Sequence, residues 1–290
     1  MIVIPGPASK SLGQKVAETL NARTVSVNHK SFPDGEYCLR FDGELKGEEV
    51  VVVQSTGQPQ DTNVMQLLLM LDAAKDLGAE KVTAVVPYLA FARQDKRFLA
   101  GEVVSANTVV KLIEACGTDQ FITVNIHSEN TLKRFSIPTL NLSAITLLAE
   151  HFKNRGLDGA FALSPDKGAV ELAEEADRVL GGGCGWLRKE RDRYTGEIQV
   201  EEKSLNVKGR DVVVFDDIIS TGGTIARAVK MLKTQGARRV YAACVHPLLI
   251  SEAKQKILEN GAEEIVGTDS IPSSVRTVSL APLIAEALAR

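Results

Sequence analysis

The stretch Val212–Thr224, VVVFDDIISTGGT, decides how this chain folds. Val212 to Phe215 form a continuous apolar run, the pattern of a strand buried on both faces of a parallel sheet. Asp216 and Asp217 emerge at its carboxyl end, and a loop of hydroxyl and glycine residues, Ser220 to Thr224, leads into a helix. In open α/β sheets ligands bind beyond the carboxyl ends of the strands. Backbone N–H groups of a loop entering a helix make an anion site, and glycine lets the backbone approach closely. The hydroxyls of Thr221 and Thr224 add donors. Two carboxylates beside such a cradle would repel a phosphate, so they need another partner, and the vicinal hydroxyls of a sugar suit them. The motif therefore reads as a sugar-phosphate site. The competing reading, helix capping in a tight turn, does not require Asp-Asp followed by STGGT.

Outward from this motif the same alternation continues. Apolar runs at Ile2–Ile4, Val50–Val53, Val82–Val86, Phe121–Ile126, Gly159–Ser164, Val240–Val245 and Glu263–Gly267 predict further strands. Between them, helical periodicity over Val64–Leu77, Ser105–Cys116, Thr224–Gln235 and Ser251–Asn260 stops in each case at a glycine, the usual helix C-terminal signal. Strand–helix alternation predicts an α/β fold of right-handed βαβ units. The chain also repeats itself. Lys, Gly, Ala, a basic residue, Val and Ala recur in register in KDLGAEKVTAVV (Lys75–Val86) and KTQGARRVYAAC (Lys233–Cys244), and each copy is preceded by a strand, an STG tripeptide and a helix. The tripeptides are Ser55–Gly57 and Ser220–Gly222. Two similar domains are expected, 1–142 and 143–290, with the last helix packing back on the first.

Composition narrows the class. The chain has 290 residues with a net charge of −3, 44% hydrophobic and 24% charged residues, ordinary globular values that exclude disorder and collagen-like repeats. The slight acidity argues against a broad nucleic-acid surface. No apolar run approaches the roughly 20 residues of a membrane-spanning helix, and MIVIPGPASK lacks the basic start of a signal peptide. Cys38, Cys116, Cys184 and Cys244 are widely spread with no CxxC, so reduced thiols in a cytoplasmic protein are expected. GxxxxGK[ST], GxGxxG, HExxH and GxSxG are all absent.

The Val212–Thr224 run resembles the phosphoribosyl-diphosphate (PRPP) motif of type I phosphoribosyltransferases and of PRPP synthetases, the ribose-phosphate pyrophosphokinases. Five further segments, distributed along the chain, resemble the synthetases in particular, and the resemblance covers essentially its full length. SFPDGEY (Ser31–Tyr37) is similar to the family's FSDGE loop, which implies ATP contacts from Phe32, Asp34, Gly35 and Glu36, usually across a subunit interface. PYLAFARQDK (Pro87–Lys96) resembles the family's RQD loop, which implies ATP contacts from Arg93 and Gln94. NIHSE (Asn125–Glu129) and LSPDKGAV (Leu163–Val170) resemble the metal and pyrophosphate loops, which implies Mg²⁺ contacts from His127 and Asp166. LRKERDR (Leu187–Arg193), flanked by glycines, resembles a mobile loop whose Lys189 and Arg191 cover the transferred group. The resemblance implies that Asp216 and Asp217 hold ribose hydroxyls and that Ser220, Thr221, Gly222, Gly223 and Thr224, with Arg191, bind ribose 5-phosphate. Pro33, Phe91, Asn125 and Ala169 depart from the family pattern, where serine, tyrosine, aspartate and glycine are usual.

The implied activity is transfer of the diphosphoryl group of ATP to ribose 5-phosphate by a homo-oligomer that uses neither nucleic acid nor membrane. Two rivals stand beside it. A phosphoribosyltransferase would not need the ATP-loop matches. A non-catalytic regulatory relative would be expected to lack Lys189, Arg191 or His127.

Overall fold

A computed structural model describes the chain except residues 192–197 and 202–204; over Arg188–Arg191 and Ile198–Glu201, and at Arg276, it describes the backbone alone. The described residues form two compact units. One holds Met1–Ser143, Ser270–Pro272 and Ser279–Arg290; the other holds Ala144–Asp269 and Ser273–Val278.

The first unit runs β1 (Ile2–Pro5), α1 (Lys10–Leu20), β2 (Arg23–Thr24), β3 (Val27–Ser31), β4 (Tyr37–Phe41), β5 (Glu49–Val53), α2 (Gln60–Asp76), β6 (Lys81–Val86), α3 (Ser105–Ala115), β7 (Gln120–Val124) and β8 (Thr139–Leu142). Six of these strands form one parallel sheet in the order β2-β1-β5-β6-β7-β8. Helices cover both faces, so Ile2, Ile4, Val50, Val52, Val82 and Val86 are all buried, which is why these strands read as unbroken apolar runs.

The second unit runs α4 (Ile145–Phe152), β9 (Phe161–Ser164), α5 (Val170–Leu180), β10 (Cys184–Trp186), β11 (Arg188–Arg191), β12 (Ile198–Glu201), β13 (Asp211–Ile219), α6 (Gly223–Thr234), β14 (Arg239–Pro247), α7 (Ala253–Glu259), β15 (Ile265–Thr268) and β16 (Arg276–Val278). Its parallel sheet has the order β10-β9-β13-β14-β15-β16, the topology of the first. The final helix, α8 (Ala281–Leu288), belongs to the first unit, where it packs against α1.

The expected duplication is visible in hydrogen bonds as well as topology. Gly47 N–H donates to the Gly78 carbonyl at 2.8 Å, and Gly209 N–H donates to the Gly236 carbonyl at 2.8 Å. Lys75 Nζ reaches the Glu80 carbonyl at 3.3 Å, and Lys233 Nζ reaches that of Arg238 at 3.2 Å. Each unit also carries an antiparallel hairpin before its third sheet strand, β3–β4 and β11–β12. Sequence periodicity did not find these hairpins: β4 alternates between partly buried and exposed residues and carries no apolar run.

Three local expectations are corrected. Strand β13 runs on to Ile219, so Asp216 and Asp217 lie within it rather than beyond its end. Helix α7 starts at Ala253, because Leu249 and Ser251 take left-handed backbone angles of φ 46° and 55°. The segment read as a loop around Lys189 and Arg191 is strand β11, with Lys189 opposite Val200 and Arg191 opposite Ile198. The side chains of Lys189 and Arg191, and all of Tyr194–Gly196, lie outside the described residues.

Candidate active site

In the second unit the site is built at the carboxyl ends of β9 and β13. Beyond β13 the chain bends at Ser220 and passes through Gly222 at φ +69°, an angle that favours glycine. It enters α6 at Gly223 with no side chain capping the first turn. The first-turn N–H groups of α6 lack intrahelical acceptors, which leaves donors and a positive dipole end available to an anion. Thr221 is exposed, and Ser220, Gly223 and Thr224 are partly exposed.

Next to this loop the acids are brought together. Asp217 N–H donates to Asp216 Oδ1 at 3.0 Å, and Ile218 N–H to Asp217 Oδ1 at 2.8 Å. Burial pushes the Asp216 carboxyl well above the usual range, with the charges of Asp217 and Asp166 adding to the effect. Asp166, at the end of β9, accepts from Gly168 N–H at 3.0 Å and opens the single helical turn Lys167–Ala169. The structure thus places Asp166, Asp216 and Asp217 in one electrostatic neighbourhood.

In the first unit the predicted residues surround the carboxyl ends of β6 and β7. Arg93 is exposed, whereas Gln94 donates within its own loop to the Lys96 carbonyl at 3.2 Å and to Glu102 Oε2 at 3.3 Å. His127 follows β7 and is exposed. Asn125, where the family usually has aspartate, is buried at φ 38° and donates to Ser143 Oγ at 3.4 Å, a structural role. Phe91 also lies in the left-handed region, at φ 67°.

Sequence reasoning missed what holds these loops. Ser128 Oγ donates to Asp95 Oδ2 at 2.6 Å, and this bond is the first cause of a lowered Asp95 pKa. Arg134 spans the Asp95 carbonyl at 2.5 Å and Asn107 Oδ1 at 2.7 Å, tying the RQD loop to the segment after β7 and to α3. The partners of Asp95 lie more than thirty residues away, beyond the reach of a local pattern.

The FPDGE segment is the tip of the β3–β4 hairpin. Phe32 N–H donates to the Glu36 carbonyl at 2.7 Å, Glu36 N–H donates to Asp34 Oδ1 at 3.1 Å, and Gly35 sits at φ 96°. Phe32 is 39% exposed with Lys30 Nζ 5.2 Å over its ring, so the tip presents one aromatic face and two carboxylates to solvent.

The donor set suits magnesium. Mg²⁺ prefers oxygen ligands and commonly takes one or two carboxylates, substrate phosphates and waters. Asp166 offers such an oxygen in the electrostatic neighbourhood of Asp216, whose strand leads to the uncapped start of α6. Among the described residues no group of three or more His, Cys, Asp or Glu side chains forms a ready-made cage, so most ligands would come from substrate and water.

The fold and these loops define a two-domain α/β protein of phosphoribosyltransferase type. Residues 1–117 match the model of the N-terminal domain of ribose phosphate pyrophosphokinase, and residues 137–276 match that of the phosphoribosyl transferase domain. The chain belongs to the ribose-phosphate pyrophosphokinase family. It is 45% identical to the ribose-phosphate pyrophosphokinase of Methanobrevibacter smithii over 99% of both chains. It is 43% identical to that of Methanothermobacter thermautotrophicus, again over 99% of both. The crystal structure of phosphoribosylpyrophosphate synthetase from Mycobacterium smegmatis superposes with a TM-score of 0.89 at 32% identity, covering 100% of this chain and 97% of that one. None of the described helices is long and apolar enough to cross a membrane.

Proposed function

We propose that this chain transfers the β,γ-diphosphoryl group of ATP to the C1 hydroxyl of ribose 5-phosphate, giving PRPP and AMP. The observation that carries the reading is the Asp216–Asp217 pair running on its own strand into the uncapped, glycine-led start of α6, in a chain of this family.

In this reading the 5-phosphate sits on Ser220–Thr224, and Asp216 and Asp217 accept from ribose hydroxyls. The C1 oxygen attacks the β-phosphorus, the bond to the bridging α–β oxygen breaks, AMP leaves, and the hydroxyl proton is released. No covalent intermediate on the protein is required, because phosphoryl-type transfer is governed by positioning and charge. Lys189 and Arg191 offset charge on the transferred group. His127 and Asp166 would hold Mg²⁺, which neutralises phosphate charge when bound. Arg93 contacts ATP from the RQD loop. The exposed hairpin tip with Phe32, Asp34, Gly35 and Glu36 contacts the ATP of a second copy, so the active form is a homo-oligomer. The first domain carries the ATP loops and the second the ribose 5-phosphate and pyrophosphate loops. A cytoplasmic location fits four free cysteines.

Incubation with ATP, Mg²⁺ and ribose 5-phosphate tests the reaction: AMP and PRPP appear in equal amounts. ATP-independent turnover of PRPP with a nucleobase would favour a phosphoribosyltransferase. Full activity in a dilute sample proven monomeric by light scattering would remove the shared-site reading.

A further inference from the structure

We propose that Lys256, on α7, binds the 5-phosphate of ribose 5-phosphate; the inference rests on the reading of Ser220–Thr224 as the phosphate cradle. Helix α7 is seated directly on that loop. A Cβ placed on Gly222 would lie 3.0 Å from the Ala253 carbonyl oxygen and 3.1 Å from Ile257 Cδ1, so the two backbones meet with only glycine between them. Ala253 and Ile257 are buried and fix α7 in place. The neighbouring Lys256 is exposed, and its ammonium points at the loop: a Cβ on Gly223, the first residue of α6, would lie 3.5 Å from Lys256 Nζ.

That ammonium has no hydrogen bond or ion pair among the described residues. Its neighbours on the helix are occupied elsewhere. Lys254 Nζ donates to the Ser274 carbonyl at 3.0 Å, and Glu259 accepts from Gln255 Nε2 at 2.7 Å. Glu252, one turn before Lys256, forms no ion pair with it.

The charge balance of the site calls for such a group. Ser220–Thr224 contains no cationic side chain, and Asp166, Asp216 and Asp217 lie close by. A phosphate monoester with a second pKa of about 6 carries close to two negative charges at pH 7. The N–H groups and hydroxyls of the loop itself are neutral and would seat it beside these acidic residues, where one flexible ammonium at the first turn of α6 adds positive charge. Lysine suits the position as a mobile point charge rather than a rigid fork.

The test is steady-state kinetics of Lys256→Met, Lys256→Arg and Thr224→Val, with thermal unfolding of each. Lys256 is solvent-exposed, so an effect of about fivefold is expected, the size of an exposed charge contact. Lys256→Met raises KM for ribose 5-phosphate at least threefold, with kcat, KM for ATP and Tm nearly unchanged. Lys256→Arg restores KM, and KM rises less steeply with salt in Lys256→Met than in the parent. A rise below threefold in Lys256→Met, while Thr224→Val raises the same KM, overturns the role of Lys256 and leaves the cradle standing. If neither variant raises it, the cradle reading fails and the proposal with it. A parallel loss of kcat, KM for ATP and Tm in Lys256→Met would mark a structural effect and also overturn the proposal.

Discussion

Thr56 Oγ1 accepts from the backbone N–H of Ala90 at 2.7 Å and donates to the Tyr88 carbonyl at 2.9 Å. Beside it, Ser55 Oγ accepts from Tyr88 N–H at 3.2 Å and donates to the Ser270 carbonyl, while Ser55 N–H donates to Ser9 Oγ at 2.8 Å. These are the first-unit counterparts of Ser220 and Thr221. In the second unit Thr221 is exposed and Ser220 partly so; in the first the tripeptide is buried, and its hydroxyls grip the root of the RQD loop. In the first unit the tripeptide therefore supports the backbone of the loop read as contacting ATP.

Thr56→Val removes both hydroxyl bonds at nearly constant volume and leaves a buried N–H unpaired, a cost of about 1–3 kcal/mol. Tm falls, and KM for ATP rises several-fold while KM for ribose 5-phosphate stays near the parent value. Thr56→Ser restores most of both. Equal changes in the two KM values would show that the clamp does not act through the ATP loop.

Asp211 supports a different prediction. It is buried at the start of β13 and accepts from both Arg238 (Nε at 2.9 Å) and Arg239 (Nη2 at 2.7 Å), which hold its carboxyl far below the usual carboxylate range. A lowered folded-state pKa stabilises the protein above the unfolded value of about 3.9, and that contribution is lost as pH falls below it. The two arginines are 63% and 42% exposed, so the bonds are partly screened. Asp211→Asn costs about 2 kcal/mol at pH 7. Denaturant unfolding at stepped pH checks this: the gap between parent and variant narrows progressively below about pH 4.

Asp216 has the opposite sign. Its raised folded-state pKa means that its contribution to stability falls as pH rises from about 3.9 through the folded value. Asp216→Asn therefore melts about 2–4 °C higher at neutral pH. Its kcat/KM for ribose 5-phosphate falls about 10- to 100-fold through loss of a charged acceptor. A variant less stable than the parent at pH 7 would contradict the assigned burial cost.

Lys189→Ala and Arg191→Ala are expected to lower kcat at least about a hundredfold, the scale of one lost electrostatic contact to a transition state. Ground-state binding and Tm change little. A kcat within about threefold of the parent would leave both residues as ordinary surface, far short of that scale.

Magnesium is expected to bind the nucleotide-free protein weakly and to bind tightly with ATP present, because few of its ligands come from protein side chains. Calorimetry showing tight stoichiometric binding without nucleotide would refute this.

The sequence by itself determined the α/β class, the duplication and the candidate loops. A strand covered on both faces must be apolar along its whole length, as in Val50–Val53 and Val212–Phe215, and a helix ended by glycine announces its own boundary. Candidate loops at strand ends are equally local: DDIISTGGT stood out by its own pattern, and FARQDK by its resemblance to the family. Only the tertiary structure decided what those loops meet. It joined Arg134 to Asp95 across 39 residues, set α7 with Lys256 on Gly222 and Gly223, and returned α8 to the first unit. It also separated two identical tripeptides into a partly exposed loop and a buried clamp. Periodicity reports which face of an element is apolar, whereas such pairings depend on how distant elements pack, and hydroxyls of the same kind serve a ligand or the fold according to what surrounds them.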